Sequence, residues 1–157
     1  MDKFPMTFRG KKLLEEELHE LLHIQRPANI KAIEEARGHG DLSENADYDA
    51  AKEKQAFIEA RVSHIQNQLA GAEVVKPEEI KSEKIVFGAT VELLNLDTEE
   101  NVKYQIVGLD EADVKQGLIS VFSPLGRALI GKKVNDIIEL TSPKGDKEFE
   151  VKKLDFK

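Results

Sequence analysis

Residues 38–52 interrupt two long amphipathic patterns, and that interruption constrains the fold more than any other stretch. Gly38 and Gly40 end the first pattern, because glycine takes up positive φ without a Cβ penalty. Asp41, Ser43, Glu44 and Asn45 then suit the start of a second helix. Two helices joined by so short a turn run antiparallel. The turn is therefore a tip, at 38–47, and it carries the carboxylates of Asp41 and Glu44.

The patterns on either side predict an arm over residues 1–76. Thr7 suits the cap of a helix starting near Gly10, and Leu13, Leu14, Leu18, Leu21 and Leu22 recur at helical spacing. Ile30, Ile33 and Ala36 continue a stripe beyond Pro27, which lacks a backbone donor and predicts a kink or local loosening. After the tip, Ile58, Val62, Ile65, Leu69 and Ala72 follow the spacing of a coiled-coil seam, on a helix expected over about 43–74. Ala46, Ala50 and Ala51 are small and allow close helix approach. Two such helices side by side leave no room for an enclosed pocket.

Composition narrows the function. The net charge is −7 and both halves carry more acidic than basic groups. General affinity for a nucleic-acid backbone is thereby disfavoured, leaving any such role local or indirect. No cysteine is present, so disulfides and thiolate metal sites are excluded. No apolar run approaches membrane-spanning length and the N-terminus has no signal-peptide core, so a cytoplasmic location without membrane partners is expected.

One motif points elsewhere. His19-Glu20-Leu21-Leu22-His23 matches H-E-x-x-H, which sets two imidazoles on one helix face for zinc. Glu44 could pose as a third ligand. If the first helix runs to about residue 37, Glu44 lies roughly 25–30 Å from His23, so a hydrolytic zinc centre is not expected. His39 and His64 have less support still as ligands.

Asp41 and Glu44, three apart, share a face once helical. Their spacing fits a capping box at the positive end of a helix. From spacing alone capping is the favoured reading; the other is a carboxylate pair presented for a hard cation such as Mg²⁺, which rarely takes an all-protein cage and often shares ligands with a phosphate substrate. Both roles can coexist. Arg37 and Lys52 flank the tip, either as ordinary ion-pair partners (Arg37 with Asp41) or as contacts for a phosphate or RNA end.

The second half changes pattern. Residues 77–84 are charged and proline-bearing and read as a linker. Strands are expected over 86–94, 103–107, 118–122, 136–140 and 148–154, with turns at 95–101 and 143–146. Ser123, Pro124 and Gly131 mark the cap, first turn and end of a short helix. Residues 85–157 thus form a globular α+β module of antiparallel sheet plus helix.

The run from Ala36 to Phe57, which contains D-L-S-E-N, resembles the signature of the Gre family of bacterial transcript cleavage and transcription elongation factors. Matching segments continue along nearly the whole chain: 5–10, Arg26-Pro27, 85–91, 104–108, 111–113, Ile119-Ser120, Ser123-Pro124 and 128–131. The acidic balance and sparse basic tip fit the GreA type, which favours short RNA fragments. The resemblance implies an N-terminal antiparallel coiled-coil hairpin followed by an FKBP-like domain, with no isomerase activity inferred.

It also implies a function. The coiled coil would enter the secondary channel of bacterial RNA polymerase, where backtracked RNA exposes its 3′ end. There Asp41 and Glu44 would help hold a shared second Mg²⁺ and orient the attacking water, as in two-metal phosphodiester hydrolysis. The protein would be no enzyme alone, would bind no cofactor by itself, and would act as a monomer that activates the polymerase's own nuclease. Arg37 and Lys52 occupy the places of basic residues that contact RNA. The family usually has Arg at the second place, and Lys keeps the charge while losing bidentate geometry. The globular domain would dock on a coiled coil at the channel rim through the Ser123-Pro124 loop, with Asp113 and Ser120 as weaker candidates. The alternative is a secondary-channel binder that inhibits or modulates transcription without cleavage, as family members with altered tip acids do.

Overall fold

A computed structural model describes residues 3–38 and 45–157. The chain divides into two compact units. One is built from Lys12–Gly71, and the other joins Phe4–Lys11 to Ala72–Lys157.

The first unit is a helical hairpin. Helix α1 (Phe8–Glu20) passes through a π-helical stretch, Leu21–Gln25, into α2 (Arg26–Arg37), and α3 (Ala46–Ala70) returns. The pairs Ala36–Asn45, Asn29–Ala51, Arg26–Glu59 and Glu17–Arg61 descend one helix while climbing the other, as antiparallel packing requires. The expected loosening at Pro27 takes the form of the π stretch. The Arg26 N–H reaches the Leu21 carbonyl instead of the one a residue later, and Pro27 has no N–H to resume the α ladder immediately.

The π stretch also resets the seam. Buried Leu14, Leu21, Asn29 and Ala36 are spaced 7, 8 and 7 residues apart, against 7 and 7 for Ala51, Ile58 and Ile65 on α3. A π turn accommodates one extra residue, so the buried face shifts by one position. An uninterrupted count would place Ala28 in the seam, and the shift places Asn29 there instead; Ile30, expected in the stripe, is 45% exposed, while Ile33 and Ala36 are buried as expected. Helix α3 is shorter than expected, about 37 Å at 1.5 Å per residue. It stops at Gly71, and the following residues form a strand.

The second unit begins with that strand. β1 (Phe4–Thr7) and β2 (Ala72–Val75) pair in parallel, Phe4 opposite Ala72 and Thr7 opposite Val75. A parallel pair needs a long crossover, which the intervening helices supply. The arm read as 1–76 therefore ends at Gly71, and its first strand and the opening turn of α1 group with the globular unit. Thr7 caps α1 as expected, its Oγ1 accepting from the Gly10 N–H at 3.0 Å. The supposed linker is only partly open, since Pro77 is buried in a short 3₁₀ turn.

The main sheet has the order β5-β4-β3-β7-β6, from β3 (Thr90–Asn95), β4 (Asn101–Val107), β5 (Leu118–Ser120), β6 (Ile137–Ser142) and β7 (Gly145–Asp155). One pairing departs from the expected antiparallel pattern: β5 runs parallel to β4. The loop between them folds back along the sheet through Gly117, whose φ is +76°, instead of reversing in a tight hairpin. Helix α4 (Pro124–Leu129) covers the core made by Val91, Leu93, Ile106, Leu129 and Val151, all 0% exposed. Burying each such side chain contributes about 1.5–3 kcal/mol. Residues 86–89 lie outside β3, although Ala89 is buried against the same core.

Candidate functional site

Asp41 and Glu44 lie outside the described residues. The residues on either side of their segment are Gly38 and Asn45. Helix α2 ends at Arg37, and the Gly38 N–H is shared between the carbonyls of Glu34 and Glu35 at 3.2 Å each. Helix α3 opens with Asn45 in an extended conformation, its Oδ1 accepting from the Tyr48 N–H at 3.0 Å. The helix start is thus capped by Asn45, beyond both acids, so α3 has no need of Asp41 as its cap.

The same side chain reaches across the hairpin. Asn45 Nδ2 donates to the carbonyl of Ala36 at 2.6 Å. Helix ends leave their last carbonyls without intrahelical donors, so one buried amide completes the end of α2 and the start of α3 together. It ties the two ends of the segment that contains Asp41 and Glu44. Sequence reasoning placed Asn45 at a helix start but missed the cross-hairpin bond. The signal was its position just before Ala46, where an amide can donate as well as accept.

Arg37 and Lys52 are both exposed on the helices flanking this segment. Lys52 Nζ donates to Gln55 Oε1 at 3.1 Å, one turn along its own helix. Deeper in the arm, Asn29 is 5% exposed and donates to the Ala51 carbonyl at 2.9 Å. A polar residue bonded across an otherwise apolar seam favours one register. Ala51, expected to permit close approach, is buried beside that bond, and an open groove bordered by Ala28, Ala32, Ala50 and Lys54 runs along the surface of α2 and α3.

In the globular unit the Ser123 hydroxyl is consumed locally. It accepts from the Gly126 N–H at 3.1 Å and donates to the Ser120 carbonyl at 2.6 Å. A Cβ on Gly126 would collide with that same carbonyl, so α4 sits tight against the end of β5. Pro124 is exposed beside it, and Phe122, which the sequence reading passed over, is 51% exposed. What this corner presents outward is therefore Phe122 and Pro124. Asp113 and Ser120 have local roles. Asp113 accepts from the Lys115 N–H at 3.1 Å and from Gln116 Nε2 at 2.9 Å, and Ser120 Oγ accepts from the Phe122 N–H at 3.0 Å. Among the described residues no helix is long and apolar enough to cross a membrane.

Comparison with known proteins covers both units. Residues 4–74 match the family described as transcription elongation factor, N-terminal, and residues 80–156 match transcription elongation factor, GreA/GreB, C-terminal. The chain is 55% identical to a transcription elongation factor GreA of Neisseria meningitidis serogroup A over 152 residues, 96% of each chain. It is 51% identical to the GreA of Phenylobacterium zucineum over 156 residues, 99% of each. Among solved structures, GreA factor homolog 1 of Thermus thermophilus is similar at 31% identity and a TM-score of 0.45, over 98% of this chain and 99% of that one.

Proposed function

Since the chain belongs to the GreA/GreB family of transcription elongation factors, we propose that it stimulates the intrinsic RNA-cleaving activity of bacterial RNA polymerase. The observation that carries this reading is the Asn45–Ala36 bond. It fixes both ends of the segment bearing Asp41 and Glu44 at the turn of a hairpin, while the cap of α3 is already supplied by Asn45. Two acids that the helix does not need, at the end of a long narrow element, are suited to completing a site that another protein provides.

In this reading the hairpin enters the secondary channel and brings Asp41 and Glu44 to the RNA 3′ end. Carboxylate oxygens with water are the donor set that Mg²⁺ prefers, and the remaining ligands would come from the polymerase and the RNA phosphate. The ion would stabilise the developing charge on the attacking and leaving oxygens. The contribution of this chain is to hold the carboxylates in place, to orient the attacking water, and to set Arg37 and Lys52 against RNA phosphates. The Phe122–Pro124 corner supports docking of the globular unit on the channel rim, since an exposed aromatic beside a proline offers a rigid apolar contact. Acting this way the chain is an activator, monomeric and cytoplasmic.

Stalled, backtracked elongation complexes test this directly. Adding the protein with Mg²⁺ is expected to release short 3′ RNA fragments and restore elongation. Binding that competes with other channel occupants but releases no fragments would replace cleavage by simple inhibition or modulation.

A further inference from the structure

The motif that polymerase activation leaves unused is His19-Glu20-Leu21-Leu22-His23. Both imidazoles are exposed, and their ring centroids stand 4.5 Å apart with the planes tilted by 44°. In a regular α-helix residue i+4 sits about 40° around the axis from residue i. The π stretch begins at Leu21, between the two histidines, and its wider turn narrows that offset. The two rings therefore lie along one line of the surface in a tilted contact.

We propose that His19 and His23 form a two-imidazole site for one divalent transition-metal ion of the Zn²⁺, Ni²⁺ and Cu²⁺ class. With nitrogen–metal bonds of about 2.0–2.1 Å, each ring centre stands roughly 3.2 Å from the ion, so two ligating rings have centres about 4.5–5.2 Å apart. The observed 4.5 Å lies at the edge of that range, and ligation needs only small χ rotations. Glu15, Glu16 and Glu20 occupy the same and the preceding turn and raise the local concentration of cations. Imidazole selects these ions over Mg²⁺, which keeps oxygen ligands. Among the described residues no group of three His, Cys, Asp or Glu side chains comes together. Glu20 Oε1 accepts from Gln25 Nε2 at 3.3 Å. The site is accordingly a binding site with water completing the coordination, not the hydrolytic centre that H-E-x-x-H would otherwise suggest.

Calorimetric titration of the untagged full-length protein with ZnCl₂, NiCl₂ and CuCl₂, with excess MgCl₂ throughout, tests the site. One ion per chain is expected, bound tightest as Cu²⁺. His19→Ala and His23→Ala should each weaken binding by at least about tenfold with helicity unchanged. The double variant His39→Ala/His64→Ala should keep the wild-type affinity. Equal affinity in wild type and His19→Ala/His23→Ala, or loss in the His39/His64 variant, overturns the proposal. Neither result bears on polymerase activation, which uses Mg²⁺ and other residues.

Discussion

Asn45 Nδ2 donates to the Ala36 carbonyl at 2.6 Å while its Oδ1 receives the Tyr48 N–H at 3.0 Å. Asn45→Ala removes both bonds and should cost about 1–3 kcal/mol, the loss of an N-cap plus an unsatisfied buried carbonyl. Asn45→Asp keeps the cap but turns an oxygen toward the Ala36 carbonyl, so it should also destabilise the arm. Chemical denaturation followed by circular dichroism checks both. An Asp variant as stable as wild type would show that the bond to Ala36 contributes nothing.

Asn29 offers a contrast, because its acceptor is different. The Ala51 carbonyl lies inside α3 and is already bonded along its helix, so Asn29→Ala orphans no acceptor. A cost of about 1 kcal/mol is expected. Asn29→Asp places a carboxylate at a 5% exposed position facing a carbonyl, and about 3 kcal/mol or more is expected. Denaturation midpoints should rank wild type, Ala, Asp. A reversed order of the two variants would contradict the hydrogen-bond assignment.

The 7, 8, 7 spacing of Leu14, Leu21, Asn29 and Ala36 predicts an unusual tolerance. Deleting Ile24, which is 60% exposed, together with Pro27→Ala should give a continuous α-helix with every buried residue still in the seam. The unfolding free energy should stay within about 1 kcal/mol of wild type. Deleting Glu53 from α3, where no π turn absorbs the change, should rotate Ala51 out of register and destabilise strongly. Equal damage from both deletions would refute the register account.

Glycines near the N-terminal strand separate rigid from yielding neighbours. A Cβ on Gly108 would lie 2.6 Å from the Pro5 carbonyl, part of the β1 backbone. Gly108→Ala should therefore cost about 2 kcal/mol or more. A Cβ on Gly10 meets Glu111 Oε2 at the same 2.6 Å, but that atom ends a flexible side chain, held by Thr7 Oγ1 at 2.5 Å. Gly10→Ala exchanges that bond for helix propensity, and a net change within about 1 kcal/mol is expected. Thermal melts of the two variants decide.

Much of this was legible in the sequence. The two-helix arm, the Thr7 cap and the Ser123-Pro124 start of α4 follow from local chemistry, namely hydroxyl caps and apolar period; α2 does end at Arg37, but Gly38 keeps φ at −64° and not the positive φ expected of it. What escaped depended on partners far along the chain. β1 and β2 hold four residues each, and Ala72–Val75 continues the helical pattern until it meets Phe4–Thr7. The burial of Asn29, where a heptad count gives Ala28, comes from the π stretch, because such a count assumes an uninterrupted α ladder. The parallel placement of β5 is likewise invisible to strand propensity. Asp41 and Glu44 stood out from their place between two helical patterns, but spacing favoured capping, and only the resemblance carried by D-L-S-E-N implied a metal role; the cap of α3 is Asn45.

The most direct measurement compares wild type with Asp41→Asn and Glu44→Gln at saturating concentrations on backtracked complexes. The rate of 3′ fragment release should fall by about a hundredfold or more in each variant. The concentration giving half-maximal effect should not change, because the proposed docking through Phe122, Pro124 and the arm would be untouched. Undiminished cleavage by both variants would contradict the assignment of the chemistry to these two carboxylates.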